Sequence, residues 1–228
     1  IKSAFHKHGI NYLYVSPILN LGNMVKTIRN LVPSHRDELF IVLARPFFGG
    51  FGGFRLEKFV ERWLKKLKLE WTDLLFQDVR KPLSQKLTDR VQRLRDSGKM
   101  RFLGISSHER SFIGKNAGGK VTLPVDFLHA RYNAVHTGAE QDIFPHIAER
   151  KPTIVAYTAT RWRGLLKPPK GWRGPVMTAS DCYRFCLSNP HVDIVLTGPK
   201  NRQQLRENLD NLRENGPLSE EENDWIRD

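Results

Sequence analysis

Leu94-Arg95-Asp96-Ser97-Gly98-Lys99-Met100-Arg101-Phe102-Leu103-Gly104-Ile105-Ser106-Ser107 contains one complete structural unit. Its first four residues close a helix-patterned stretch over 83–97. Gly98 offers the left-handed stop that ends helices, and 101–107 is an apolar run finishing on two hydroxyls. The same beat recurs along the chain. Apolar runs of strand length lie at 11–16, 39–45, 73–78, 101–107, 125–133, 153–158 and 191–197, with helix-like stretches between them. Alternating strands and helices build a parallel sheet, and a ring of them builds an α/β (β/α) TIM barrel. Chemistry in such barrels lies where strands end, so the residues closing each run are the first functional candidates.

The 228 residues suit one barrel domain covering 1–228. No apolar run reaches the ~20 residues of a membrane helix, and Ile1-Lys2-Ser3-Ala4-Phe5-His6 reads as the tail of a helix, not a secretory leader. A cytoplasmic protein without a membrane partner is expected. Lys and Arg exceed Asp and Glu by 37 − 24 = 13. Such a surplus attracts anions, but the cations are scattered through the helices and no RNA-binding or zinc-finger signature is present. Nucleic acid is therefore not the expected partner. Cys182 and Cys186 lie four apart in a helical stretch and so share a face, which suits reduced core thiols better than a metal site or a disulfide.

Other helices are expected over 22–31, 56–67, 139–149, 180–188, 201–212 and 219–227. The last opens on the capping-box pattern Ser219-Glu220-Glu221-Glu222. The stretch 111–120 reads as a short helix plus loop. The stretch 161–175, rich in Pro, Gly, Trp and Arg, reads as an excursion loop. Phe47-Phe48-Gly49-Gly50-Phe51-Gly52-Gly53-Phe54 lacks the spacing of a phosphate loop or a dinucleotide fingerprint and is expected to form a flexible lip over the barrel mouth.

Several segments, in order, resemble the aldo-keto reductase family. They are Gly9-Ile10-Asn11 leading into a strand, Leu64 to Leu75 with Trp71-Thr72-Asp73-Leu74-Leu75, the stretch quoted above, Arg131-Tyr132-Asn133, Ala156-Tyr157-Thr158, and Thr197-Gly198-Pro199-Lys200 continuing to Glu207-Asn208. The resemblance implies a (β/α)8 barrel that reduces aldehydes and ketones with NADP(H). The family's first strand would precede Ile1, so that strand is expected to be missing from this chain, because a barrel leaves no edge unpaired.

The resemblance also implies a site. The family's catalytic Asp, Tyr, Lys and His fall on Tyr14, Leu19, Arg45 and Asp78, so all four are replaced. Arg45 and Asp78 are read as an ion pair, either structural or holding a water. Tyr14 is read either as a relocated acid beside Arg45 or as a filler of the barrel layer. On the next polar strand His129, Arg131 and Asn133 alternate onto one face and Tyr132 onto the other, with His136 and Glu140 following. Here His129 is a catalytic candidate, and Arg131, Asn133 and His136 are substrate-binding candidates. The cofactor side matches the family better. Ser106 and Ser107 would hold the carboxamide, Tyr157 would stack on the nicotinamide, and Lys200, Arg202, Arg206, Glu207 and Asn208 would take the adenosine 2′-phosphate and adenine. The expectation is a divergent NADP(H)-linked oxidoreductase acting on a small-molecule carbonyl or alcohol. The alternative is a reductase-fold protein without hydride chemistry that binds a nucleotide or a partner.

Overall fold

The computed structural model describes residues 1–16, 21–45, 56–79, 84–118, 125–147 and 152–227. Two expectations, Leu19 and the glycine-rich lip, lie outside them. Among the described residues every expected strand is present, and contacts divide the chain into two compact units. The first comprises Ile1–Phe112 with Val121–Phe127, the second Ile113–Lys120 with Leu128–Asp228.

In the first unit β1 (Tyr12–Val15), β2 (Phe40–Arg45), β3 (Thr72–Asp78) and β4 (Met100–Ser106) lie in that order, all parallel. Helix α1 (Lys2–His8) precedes β1, and α2 (Gly22–His35), α3 (Leu56–Leu67) and α4 (Gln85–Asp96) connect the strands. The opening stretch behaves as its residues dictate. Ser84 caps α4 by accepting from the Leu87 amide, and Gly98 takes φ 66° at the other end. There Lys99 N–H donates to the Leu94 carbonyl and Gly98 N–H to that of Arg95, both at 2.9 Å, which turns the chain straight into β4.

Alternation along each strand gives this sheet two distinct faces. Leu13, Val15, Ile41, Leu43, Leu75 and Leu103 pack against Ile28, Val60, Leu64, Leu67, Val91 and Leu94 of the helices. The opposite face is aromatic. Tyr12 stacks on Phe40 with ring centroids 5.3 Å apart, Phe40 on Phe102 at 6.1 Å, and Phe127 lies within 6.5 Å of all three. Gly104 belongs to this face. A Cβ there would come 3.2 Å from Leu74 Cδ1 and 3.3 Å from Phe127 Cβ, so glycine leaves room for the rings.

Aspartates fix the strand register from below. Asp73 accepts from Ile41 N–H at 2.8 Å, Asp126 from Leu103 N–H at 2.9 Å and, in the second unit, Asp193 from Ile154 N–H at 2.8 Å. In each case a carboxylate at a strand's beginning satisfies an amide near the start of the preceding strand. Arginines neutralise two of them: Arg36 and Arg101 reach Asp73 at 3.0 and 3.2 Å, and Arg95 reaches Asp126 at 2.5 Å.

The second unit contains β5 (Phe127–Arg131, entering from Leu128), β6 (Thr153–Tyr157) and β7 (Ile194–Val195), in that order. Val155 and Ala156 pair in parallel with Ile194 and Val195. The helix expected over 139–149 is reduced to one turn, α6 (Ala139–Asp142), followed by a 3-10 turn at Phe144–His146. Pro145 has no N–H to continue the ladder and disfavours helical geometry at Phe144, so the helix stops there. Gly114 makes close approach possible at this point, since a Cβ would meet the Asp142 carbonyl oxygen.

Helices α7 (Ala179–Leu187), α8 (Arg202–Asn215) and α9 (Glu220–Arg227) complete the unit. Cys182 and Cys186 are free and buried, as expected of core thiols. Burial pushes Cys182 up to about 12 and Cys186 further. The expected capping box of α9 forms, with Ser219 and Glu222 exchanging backbone-to-side-chain bonds at 2.8 and 3.2 Å. Arg184, which nothing in the sequence marked out, is 3% exposed. It grips α9 through both Glu222 oxygens at 2.6 and 2.7 Å, and donates to the carbonyls of Gly216 and Pro217. Arg184→Met should therefore destabilise the protein by about 2–3 kcal/mol, because two carbonyls and a carboxylate lose charged donors. Thermal unfolding of the pair would show this, and a variant melting with the wild type would contradict it.

Candidate functional site

At the end of β3 and β4, Asp78 and Ser106 are register partners on the aromatic face. Ser106 Oγ lies 3.5 Å from Asp78 Oδ1, and Val79 N–H donates to the Ser106 carbonyl at 2.8 Å. Ser106 is buried and Asp78 half-buried. Ser107 points its hydroxyl at the next turn, accepting from Glu109 N–H at 3.1 Å, and so opens α5 (Arg110–Ala117).

Arg45 departs from expectation. It follows Ile41 and Leu43 on the helix-covered face, where its Nη1 donates to Gln77 Oε1 at 2.8 Å. Gln77 in turn donates to the Asp78 main-chain carbonyl at 2.6 Å. Arg45 therefore pairs with Gln77, its neighbour in register, and not with the Asp78 carboxylate, which the pleat sends to the other side. Its burial lowers its pKa from the ordinary value, with repulsion from Arg90 adding to the effect. The expectation of Tyr14 beside Arg45 is corrected for the same reason. Tyr14 lies on the aromatic face, 5.7 Å from Phe76, level in register with Val42 and, through it, with Leu74. Leu74 is four residues before Asp78 on β3, two strands away from Tyr14, so Tyr14 lies short of the strand ends.

In the second unit the polar group around β5 separates into parts. Tyr132 is fully buried on the helix side. Its hydroxyl donates to Glu140 at 2.5 Å and accepts from Asn189 at 3.2 Å, and Glu140 is held by Arg227 at 2.8 Å. Burial first, then the Glu140 carboxylate, raises the phenol's pKa, so Tyr132 and Glu140 form a structural clasp for α9. His129, on the opposite parity, is 2% exposed, and burial drives its pKa down to about 3. The imidazole is thus neutral at physiological pH. This catalytic candidate is therefore not a cationic acid, because desolvation penalises the charged form. Arg131 is half-buried at the strand's end.

Asn133 is spent on its own loop. Its Oδ1 accepts from Val135 N–H at 3.2 Å and lies 3.1 Å from His136 Nδ1, while its Nδ2 donates to the Thr158 carbonyl at 2.9 Å. Asn133 therefore fixes the chain just after Tyr157, where Thr158 takes φ 58°. This positioning role was not read from the sequence, although an Asn closing a strand is the signal for it. Tyr157 itself is half-buried at the end of β6.

Farther along, Asn201 caps α8 by accepting from Gln204 N–H at 2.8 Å, and Gln204 returns a bond to Lys200 N–H at 2.9 Å. Lys200, Arg202 and Arg206 are exposed around this capped start, and no ion pair among the described residues claims them. Glu207 is tied to Gln203 at 2.8 Å. Asn208 is buried and reaches Thr197 Oγ1 at 3.5 Å, which donates to Tyr183 at 2.9 Å. Asn208 thus anchors α8 to the end of β7.

The elements described define a parallel α/β protein of strand–helix repeats. Its fold is that of the aldo-keto reductases. An aldo-keto reductase of Bacillus halodurans in its holo form superposes with a TM-score of 0.77 at 20% identity, over 96% of this chain and 81% of that one. An aldo-keto reductase of Klebsiella pneumoniae in complex with NADPH gives 0.77 at 16% identity, over 96% and 79%. A glycerol dehydrogenase of Gluconobacter oxydans gives 0.73 at 18% identity, over 96% and 80%. No protein-family model matches the chain, and no curated protein matches it in sequence. Among the described residues no helix is long and apolar enough to cross a membrane.

Proposed function

We propose that the protein is an NADP(H)-dependent oxidoreductase of the aldo-keto reductase type, on the (β/α)8 plan, acting on a small-molecule carbonyl or alcohol. The observation that carries the cofactor half is the set of Lys200, Arg202 and Arg206, exposed around the first turns of a 14-residue helix and claimed by no ion pair among the described residues. Three cations that no ion pair among the described residues claims, near the converging N–H groups of a helix start, fit a 2′-phosphate on both charge and dipole grounds. In this reading Glu207 and Asn208 border the adenine, Tyr157 offers its ring to the nicotinamide, and Ser106 and Ser107 offer hydroxyls to the carboxamide. Arg131 and His136 contact substrate, and Asn133 positions Tyr157. NADPH, when bound, supplies the hydride.

This chain's residues must move the proton. Arg45 faces the helices and His129 is held neutral, while Tyr14 packs beside Phe76, level in register with Leu74 and short of the strand ends. Asp78, beside the Ser106 hydroxyl at a strand end, is the group we assign to hold a water through which a proton from solvent passes to the substrate oxygen, so that the water is left as water. The departures at Tyr14, Arg45 and His129 keep the second reading in play, a fold that binds the nucleotide without turning it over.

Intrinsic fluorescence with added NADPH tests the first half. Quenching is expected in the wild type, and Arg202→Ala should weaken NADPH about tenfold or more while leaving NADH unchanged, since a charge-assisted phosphate bond is worth about 1.5–3 kcal/mol. No quenching in the wild type removes the cofactor assignment. Turnover on a panel of aldehydes and ketones tests the second half. Asp78→Asn should lower kcat a hundredfold or more with little change in NADPH affinity. NADPH binding with no turnover on any carbonyl would establish the second reading.

A further inference from the structure

From 152 to 180 the chain carries no carboxylate. Within that stretch Arg161, Arg163, Lys167, Lys170 and Arg173 interleave with Trp162 and Trp172, and all seven side chains are exposed. Trp162 is 73% exposed and Trp172 53%. Leaving two indoles in water is unfavourable, and the local backbone holds them there. Arg161, Trp162 and Arg163 take φ 47°, 50° and 71°, three consecutive residues with a Cβ in left-handed geometry. That run is pinned by Arg161 N–H donating to the Thr158 carbonyl at 2.8 Å, Arg163 N–H to Thr160 Oγ1 at 3.3 Å, and Gly164 N–H to the Arg161 carbonyl at 2.8 Å. A strained turn that displays an exposed aromatic between two guanidiniums points to a task for that aromatic.

Trp172 is fixed differently. Its Nε1 donates to the Pro175 carbonyl at 3.0 Å, and its ring lies so close to Gly174 that a Cβ there would come 2.6 Å from Cζ2 and 2.9 Å from Cε2. The loop thus uses the indole's one polar group itself and supports the ring, leaving open surface suited to stacking and not to hydrogen bonding.

We propose that this loop binds single-stranded nucleic acid, with bases stacking on Trp162 and Trp172 and phosphates held by the adjoining arginines. Each indole is next to a guanidinium in sequence, Arg161 and Arg163 around Trp162 and Arg173 after Trp172, so a base stacked on either ring has a cation nearby in the chain for its phosphate. Guanidinium forks fit phosphate oxygens bidentately. A duplex would not use these rings, because its base faces are already stacked. An anionic membrane would favour a continuous apolar face over indoles separated by cations. Net charge alone did not point to nucleic acid, since the cations are spread over the chain. The rigid, exposed interleaving does.

Fluorescence anisotropy of labelled 15-mers of oligouridylate and oligodeoxythymidylate, titrated with the full chain between 50 and 200 mM salt, tests the proposal. Binding of at least one oligomer is expected, with affinity falling as salt rises. The Trp162→Ala/Trp172→Ala double variant should weaken binding tenfold or more at every salt concentration with the salt slope unchanged. Arg161→Gln/Arg163→Gln should reduce the slope by about 1.4, at ~0.7 per phosphate on a single strand. Gly174→Ala, which displaces the Trp172 ring while removing neither charge nor aromatic, should weaken binding severalfold. Circular dichroism checks that each variant folds. Preference for one oligomer would support the proposal and identify the sugar. Failure of both oligomers to bind would overturn it, as would equal affinity in the tryptophan variants, a duplex binding as tightly as the single strands, or binding confined to vesicles of phosphatidylserine in phosphatidylcholine.

Discussion

Asp73→Ala is expected to destabilise the protein by about 3–5 kcal/mol, the cost of removing one partner from a buried charge network. The carboxylate is 1% exposed. One oxygen accepts from the Ile41 amide at 2.8 Å and from Arg36 at 3.0 Å, and the other from Arg101 at 3.2 Å. Arg36 is itself largely buried over the Trp71 ring and donates to the carbonyls of Leu39 and Trp71. Removing the carboxylate leaves a buried amide without its acceptor and Arg36 without its counter-charge. Asp73→Asn keeps one acceptor and should cost less, about 1–3 kcal/mol. Urea unfolding followed by circular dichroism measures both, and an alanine variant within 1 kcal/mol of the wild type would sink the argument. Asp126→Ala should cost less than Asp73→Ala, because the Asp126 side chain is 27% exposed and water replaces part of what is lost.

Acidification is expected to weaken the protein steeply through His129. Its pKa falls from 6.5 to about 3 in the folded state because burial penalises the imidazolium. The unfolded chain therefore binds a proton that the native state refuses. The contribution is fully present above about pH 6.5 and is lost as pH falls from there toward about 3, at about 1.4 kcal/mol per pH unit. Between pH 6.5 and 4.5 this one residue should cost about 2 kcal/mol. The check is urea unfolding at pH 7.5, 6.5, 5.5 and 4.5 for the wild type and His129→Gln. The variant loses some stability at pH 7.5 but should show a slope shallower by about one proton. Parallel slopes would mean that His129 takes up its proton in the native state.

Several features were legible from local sequence. Gly98 ended its helix where expected, in left-handed geometry, because the stop depends only on the residue's own freedom at φ. The helix at Leu56–Leu67 and the capping box at Ser219 were equally local. The helix over 139–149 was misread although its breaker was visible: the apolar spacing continues through Phe144, but Pro145 decides. Arg45 was misread for a deeper reason. The run over 39–45 is apolar at nearly every position, since a strand of a parallel sheet is buried on both faces, so it has no alternation to show which side a residue takes. The roles of Asn133, Arg184 and Asp73 escaped because each partner lies 25 or more residues away.

Periodicity and punctuation, read from the chain alone, determined that strands and helices alternate, how many strands the described residues hold, and which residues close them. These follow from near-neighbour sterics and from the 2.0 and 3.6 residue periods. Only the tertiary structure decided that Arg45 turns to the helices while Asp78 meets Ser106, that burial strips His129 of its charge, and that Trp162 and Trp172 stand in solvent among arginines. Those outcomes depend on register and on depth from water, and both are set by contacts between segments that no stretch of sequence contains.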